Sequence, residues 1–116
     1  GNGWETRRRR GKGFDWLIIK IASPGIPNSF EINTHYFKGN YPDCFSIQAA
    51  MVNKIQSIKS IIKNSTKWKN IINKTKLKAN SSLKLRTNYH KKINYIKLNI
   101  YPDGGISRFR VIGKVK

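Results

Sequence analysis

INYIKLNIYPDGGISRFRVIG, residues 93–113, decides the fold. Ile96, Leu98 and Ile100 alternate with Lys97, Asn99 and Tyr101, the period of two that sends successive side chains to opposite faces of a strand. PDGG then reverses the chain, and ISRFRVIG resumes the alternation, with Arg108 and Arg110 on one face and Phe109 and Val111 on the other. The pattern predicts two strands joined as a hairpin or by a tight strand connection.

Other segments repeat this grammar. DWLIIKIA, Asp15 to Ala22, is a short apolar run rich in β-branched residues and closed by Ser23-Pro24-Gly25, a buried strand followed by a turn. In NSFEINTHYF, Phe30, Ile32 and Thr34 share one face and Glu31, Asn33 and His35 the other. After the loop Lys38–Asp43, CFSIQAA alternates Phe45, Ile47 and Ala49. The period then changes: Val52, Ile55, Ile58 and Ile62, with Ile61 beside them, recur at helical spacing, which predicts an amphipathic helix from Val52 to Ile62 that ends near Lys63–Thr66. Trp68, Ile71 and Ile72 suggest a further packed turn or strand, and residues 77–92 are polar enough to be mostly exposed. Short strands separated by Gly, Pro and Asn turns, with one inserted helix, predict an all-β sandwich.

At 116 residues the chain has the size of one domain, and its 38% hydrophobic content is enough to fold it. The net charge of +19 would ordinarily point to a polyanionic partner. Two features argue against nucleic acid. The chain is crowded with Lys, Asn and Ile, residues of AT-rich codons, and between Cys44 and Pro102 the lysines, apart from the Lys91-Lys92 pair, are spread singly through a stretch without any acid. Cys44 is the sole cysteine, so an intrachain disulfide is excluded and a reducing compartment, the cytoplasm, is expected. The apolar run after Arg7–Arg10 is interrupted by Asp15 and Lys20 and is too short to span a membrane.

Candidate chemistry is sparse. Of the five acids, Glu5, Asp15, Asp43 and Asp103 each sit beside Trp, Pro or Gly, where an acid serves either a turn or a ligand. His35 has the side chain best suited to acid-base work near neutrality. With two histidines and one cysteine, neither in a ligand spacing, no metal site or other cofactor site is identifiable, although a divalent metal is not excluded. Gly11-Lys12-Gly13 lacks the spacing of a phosphate loop. The arginines of Arg7–Arg10 have two readings: a solvated basic run, or anion recognition by guanidinium forks, with Arg7 and Arg9 on one side of an extended chain.

Three segments taken in order, GWETRRRR with DW (Gly3–Trp16), NTHYFKGNYPD (Asn33–Asp43) and LNIYPDGGISRFRVIG (Leu98–Gly113), with KWKNIINKTKL (Lys67–Leu77) between the last two, resemble the allantoicase family. The resemblance implies a jelly-roll β-sandwich of the galactose-binding type and hydrolysis of allantoate to ureidoglycolate and urea in purine catabolism. It further implies a tandem second domain and a homo-oligomer, with residues 1–116 one repeat that lacks its first strands. On this resemblance Arg7, Arg9 and Arg108 are expected to anchor the substrate, Asn40 to bind a ureido group, and Glu5, His35 and Asp103 to move or orient protons. Two departures stand out: Asn33 occupies a position where the family pattern usually has Asp, and Leu83-Lys84-Leu85 replaces a His-Phe element. The competing expectation is a non-catalytic jelly-roll module that binds polyanions, or an inactive relative of the enzyme.

Overall fold

The computed structural model describes residues 4–5, 13–35, 37 and 39–115. Its elements are β1 (Trp4–Glu5), β2 (Asp15–Asn33), β3 (Cys44–Ala50), α1 (Ile58–Ser65), β4 (Lys69–Lys76), β5 (Ser82–Arg86), β6 (Ile93–Tyr101), β7 (Gly105–Ile106) and β8 (Arg108–Val115).

Strand β2 organises the molecule. Its first part, Asp15–Lys20, pairs antiparallel with β6, from Asp15 opposite Ile100 to Lys20 opposite Tyr95. The register breaks between Lys20 and Gly25. Beyond it, Gly25–Asn33 pairs with β8, and Ser29–Asn33 also pairs with β5. One layer is therefore β4-β3-β6-β2 and the other β5-β2-β8, with β2 common to both. The expected turn at Ser23-Pro24-Gly25 is instead a bend inside one continuous strand. A bulge absorbs the direction change that a turn would otherwise make.

The core lies between the layers. Phe30 and Ile32 of β2 meet Phe45, Ile47 and Ala49 of β3 and Ile96, Leu98 and Ile100 of β6, all buried in one cluster. Phe109 and the half-buried Leu83 and Leu85 close it from β8 and β5, and the Phe30 and Phe109 rings stack at 6.0 Å. The alternation read from the sequence supplied these inward faces. The architecture is the expected jelly-roll sandwich. Of the two expected joints between residues 93–101 and 106–113, a hairpin or a tight strand connection, the hairpin does not form: β6 and β8 each pair with a different part of β2. The connection Pro102–Ser107 crosses from one layer to the other.

Residues 52–57 are not helical. Ser57 caps the helix by accepting from the Ser60 amide at 3.1 Å, so α1 begins at Ile58. Val52 is held by Asn94, whose Oδ1 accepts from the Val52 amide (2.7 Å) and whose Nδ2 donates to its carbonyl (2.9 Å). Ile55 and Ile58 face solvent, and of the expected apolar face only Ile61 is buried.

The outer face of β3 and β6 is buried as well, although its residues are polar. Asn99 Nδ2 donates to Ser46 Oγ (3.2 Å) and to Gln48 Oε1 (3.0 Å), and Gln48 Nε2 donates to the Trp68 carbonyl (3.0 Å). Lys97, only 3% exposed, donates to Ser65 Oγ at 2.9 Å and lies 5.1 Å from the Trp16 ring. This ammonium meets the C-terminal end of α1, where the helix dipole favours a cation. Burial nevertheless pushes the Lys97 pKa below its ordinary value, so desolvation outweighs those contacts. A lysine whose folded pKa is depressed costs stability below that pKa, and the cost is relieved as pH rises toward the unfolded value. Lys97→Met is therefore expected to raise the melting temperature at pH 7, and the gain should shrink as thermal melts are repeated toward pH 10. A lower melting temperature at pH 7 would show that the ammonium stabilises the fold.

Candidate functional site

The three motifs meet where the chain crosses between layers. β1 pairs antiparallel with β7, with Trp4 opposite Ile106 and Glu5 opposite Gly105. Glu5 is thus two residues in register from Asp103. The Gly105 amide donates to the Asn40 carbonyl (2.7 Å), the Asp43 amide to the Tyr101 carbonyl (2.9 Å) and the Ser107 amide to the Asn33 carbonyl (2.9 Å). These three bonds stitch the second motif to the third along its length. The Tyr101-Pro102 peptide bond is cis.

Glycine is required at the seam. Gly104 has φ +132°, a conformation that L side chains rarely adopt, and a Cβ there would lie 2.6 Å from the Pro42 nitrogen and 2.7 Å from the Asn40 oxygen. A Cβ on Gly105 would enter the Phe37 ring. The backbone of the third motif can press onto the loop only because these side chains are absent.

Thr34 anchors the other end of the loop. It is fully buried, its amide donates to the Ser81 carbonyl at 2.8 Å, and its hydroxyl donates to the Lys78 carbonyl while accepting from the Ser81 amide at 3.1 Å. His35 follows it, exposed, at the start of the loop, and Asn40 is exposed farther along. Asp103 is half-buried in the crossing. Arg108 is exposed on β8, directly opposite Asn33 on β2. The backbones of Glu5, Asn40, Asp103 and Arg108 therefore converge through the β1–β7 pair and the loop bonds. Arg7 and Arg9 lie outside the described residues.

Register places further cations on the Arg108 face. Glu31 has Arg110 opposite it on β8 and Lys84 on β5, and Ser29 has Arg86 opposite it. Although the lysines are scattered in sequence, pairing gathers Lys84, Arg86, Arg108 and Arg110 on one outer face around Glu31. Leu83 and Leu85, the other departure, point to the core from the same strand. Among the described residues no group of three or more His, Cys, Asp or Glu is placed to hold a metal ion. No described helix is long and apolar enough to cross a membrane.

The sequence marks Thr34 as a strand residue, and Asn33 as a residue of the opposite strand face and an Asp replaced. In the fold, both sit at the base of the loop. Ser107 was also missed; its hydroxyl donates to the Asn33 carbonyl at 3.1 Å. The visible signal was the adjacent Gly104-Gly105 pair, which marks a close backbone approach.

Fold and site together define a jelly-roll domain with a loop cluster and a cationic face at one end of its layers. The family model described as the allantoicase repeat matches residues 1–116, and the chain belongs to the allantoicase family. It is 43% identical to a probable allantoicase of Pseudomonas fluorescens (strain Pf0-1) over 99% of this chain and 35% of the relative. It is 39% identical to a probable allantoicase of Rhizobium meliloti over 99% and 35% of the two chains. The crystal structure of allantoicase from Saccharomyces cerevisiae superposes with a TM-score of 0.80 at 24% identity, over 97% of this chain and 31% of that one, which establishes the fold. The chain spans about a third of the length of the curated relatives it matches.

Proposed function

We propose that this domain is part of an allantoicase, which hydrolyses allantoate to ureidoglycolate and urea. The observation that carries the reading is the convergence of the three motifs on one loop cluster, in a chain of the allantoicase family. Allantoate is a carboxylate with two ureido groups on one carbon. Water must add its oxygen to that carbon while the C–N bond breaks, and a proton must reach the departing urea nitrogen.

Arg7, Arg9 and Arg108 anchor the carboxylate, since a guanidinium is always charged and matches a carboxylate with two parallel bonds. The cations gathered around Arg108 favour an anionic substrate at this face. Asn40 bonds a ureido group, and Glu5, His35 and Asp103 share the proton transfers. The rest of the protein, a tandem second repeat and a homo-oligomeric assembly in the cytoplasm belong to the same proposal.

Purified intact protein supplied with allantoate should release urea, measured with a coupled urease assay. No release, with or without divalent metal, would overturn the reading. Arg108→Ala should lower kcat/KM about tenfold or more, the worth of one hydrogen bond to a charged group. Unchanged turnover would remove Arg108 from the site.

A further inference from the structure

Asn33 is 7% exposed, yet among the described residues its Oδ1 has no hydrogen-bond partner. Its backbone carbonyl is fully employed, accepting from both the amide and the hydroxyl of Ser107. Its Nδ2 is directed to Glu31 Oε1 at 3.5 Å. That contact orients the amide, because the opposite flip would set the Asn33 oxygen against a carboxylate oxygen. The carbonyl oxygen is thereby left as a buried acceptor without a donor among the described residues.

Such an orphan carries the cost of desolvation without a bond to offset it, and sites that persist in this condition need a reason. Its surroundings supply one. Asn33 ends β2 directly before Thr34 and the Asn40 loop, and it lies opposite Arg108 on the face that carries the other cations. The oxygen is closed to solvent in this structure, so a ligand held by Arg108 through a carboxylate would bring its own N–H groups to it as the side chains over it give way.

We infer that Asn33 is a specificity residue whose Oδ1 accepts a hydrogen bond from a ureido N–H of the bound ligand. The inference rests on the allantoate reading above and adds to it a donor-seeking position that selects a ureido group over an ester or ketone of similar shape. Asparagine serves this role without a charge, and so without adding a second carboxylate beside Glu31.

The test separates a ligand contact from a structural one. Asn33→Leu removes the acceptor, and Asn33→Ala does so without adding bulk. Both should melt no lower than wild type, because an unsatisfied group has been removed, and both should lose about tenfold in kcat/KM for urea release from allantoate. Asn33→Asp keeps an acceptor but sets a carboxylate oxygen against Glu31 Oε1, so it should melt lower than wild type while retaining a higher kcat/KM than Asn33→Ala. Unchanged kcat/KM in the Leu and Ala variants would overturn the inference while leaving the allantoate reading intact. Should wild type release no urea, that reading falls by itself, and N-carbamoylglycine then decides: a rise in wild-type melting temperature that Asn33→Ala abolishes supports the ureido contact. No rise in wild type, or an equal rise in the variant, refutes it.

Discussion

Gly104→Ala is expected to lower the melting temperature by about 10 °C and to cut urea release by about a hundredfold. The first figure follows from backbone strain of about 1–3 kcal/mol at such a φ, added to displacement of the loop, in a domain whose melting point moves by several degrees per kcal/mol. The atoms that a new Cβ would meet belong to the backbone of Asn40, Tyr41 and Pro42, so no side chain can swing aside. The second figure follows from misplacement, since a shift of about 1 Å at reacting groups can cost about a hundredfold. Relief of the clash would move Asn40 and Asp103 apart. Thermal melts and urea release measured on the same preparation check both effects. A variant that melts within about 2 °C of wild type would contradict the seam described for Gly104.

Phe45→Ala is expected to destabilise the fold by about 3–5 kcal/mol, the usual cost of emptying an aromatic site in a packed core. Phe45 is fully buried and pairs with Thr75 of β4 on one side and Ile100 of β6 on the other. The cavity would lie between three strands whose hydrogen bonds limit collapse. With a total stability of about 5–15 kcal/mol for a domain of this kind, the loss would leave little reserve. Urea denaturation should show a lower midpoint with an unchanged slope. A loss below about 1 kcal/mol would mean that the core repacks around the vacancy.

The inward faces were legible because their chemistry and their period agree. Ile96, Leu98 and Ile100 could hardly be read otherwise. The outward face of the same strand was not legible. Lys97 and Asn99 have the residue types of a solvated face, but the end of α1 and the Trp16 ring take up Lys97, and Gln48, itself bonded to the Trp68 carbonyl, takes up Asn99; cover supplied by distant segments leaves no mark on local alternation. The helix start shows another limit. Val52 and Ile55 fit a helical period, whereas the Ser57 cap and the Asn94 bonds to Val52 decide the backbone. Spacing alone could not weigh those competitors.

At the candidate site, motif order announced that three segments belong together. The Gly104-Gly105 pair hinted at how closely they approach. Pairing of β1 with β7, and of Asn33 with Arg108, depends on strands far apart in sequence, so only the fold could join them. The gathering of Lys84, Arg86, Arg108 and Arg110 was invisible for the same reason.

The continuity of β2 has a consequence for how the domain opens. Because one strand runs through both layers, neither layer contains all of its own hydrogen-bonded neighbours without it. Detaching β2 from β6 removes the scaffold on which β5 and β8 are aligned, so the layers cannot act as separate cooperative units. Amide hydrogens at the centres of β6 and β8 should exchange with the same free energy of opening, and that common value should be the stability of the whole domain.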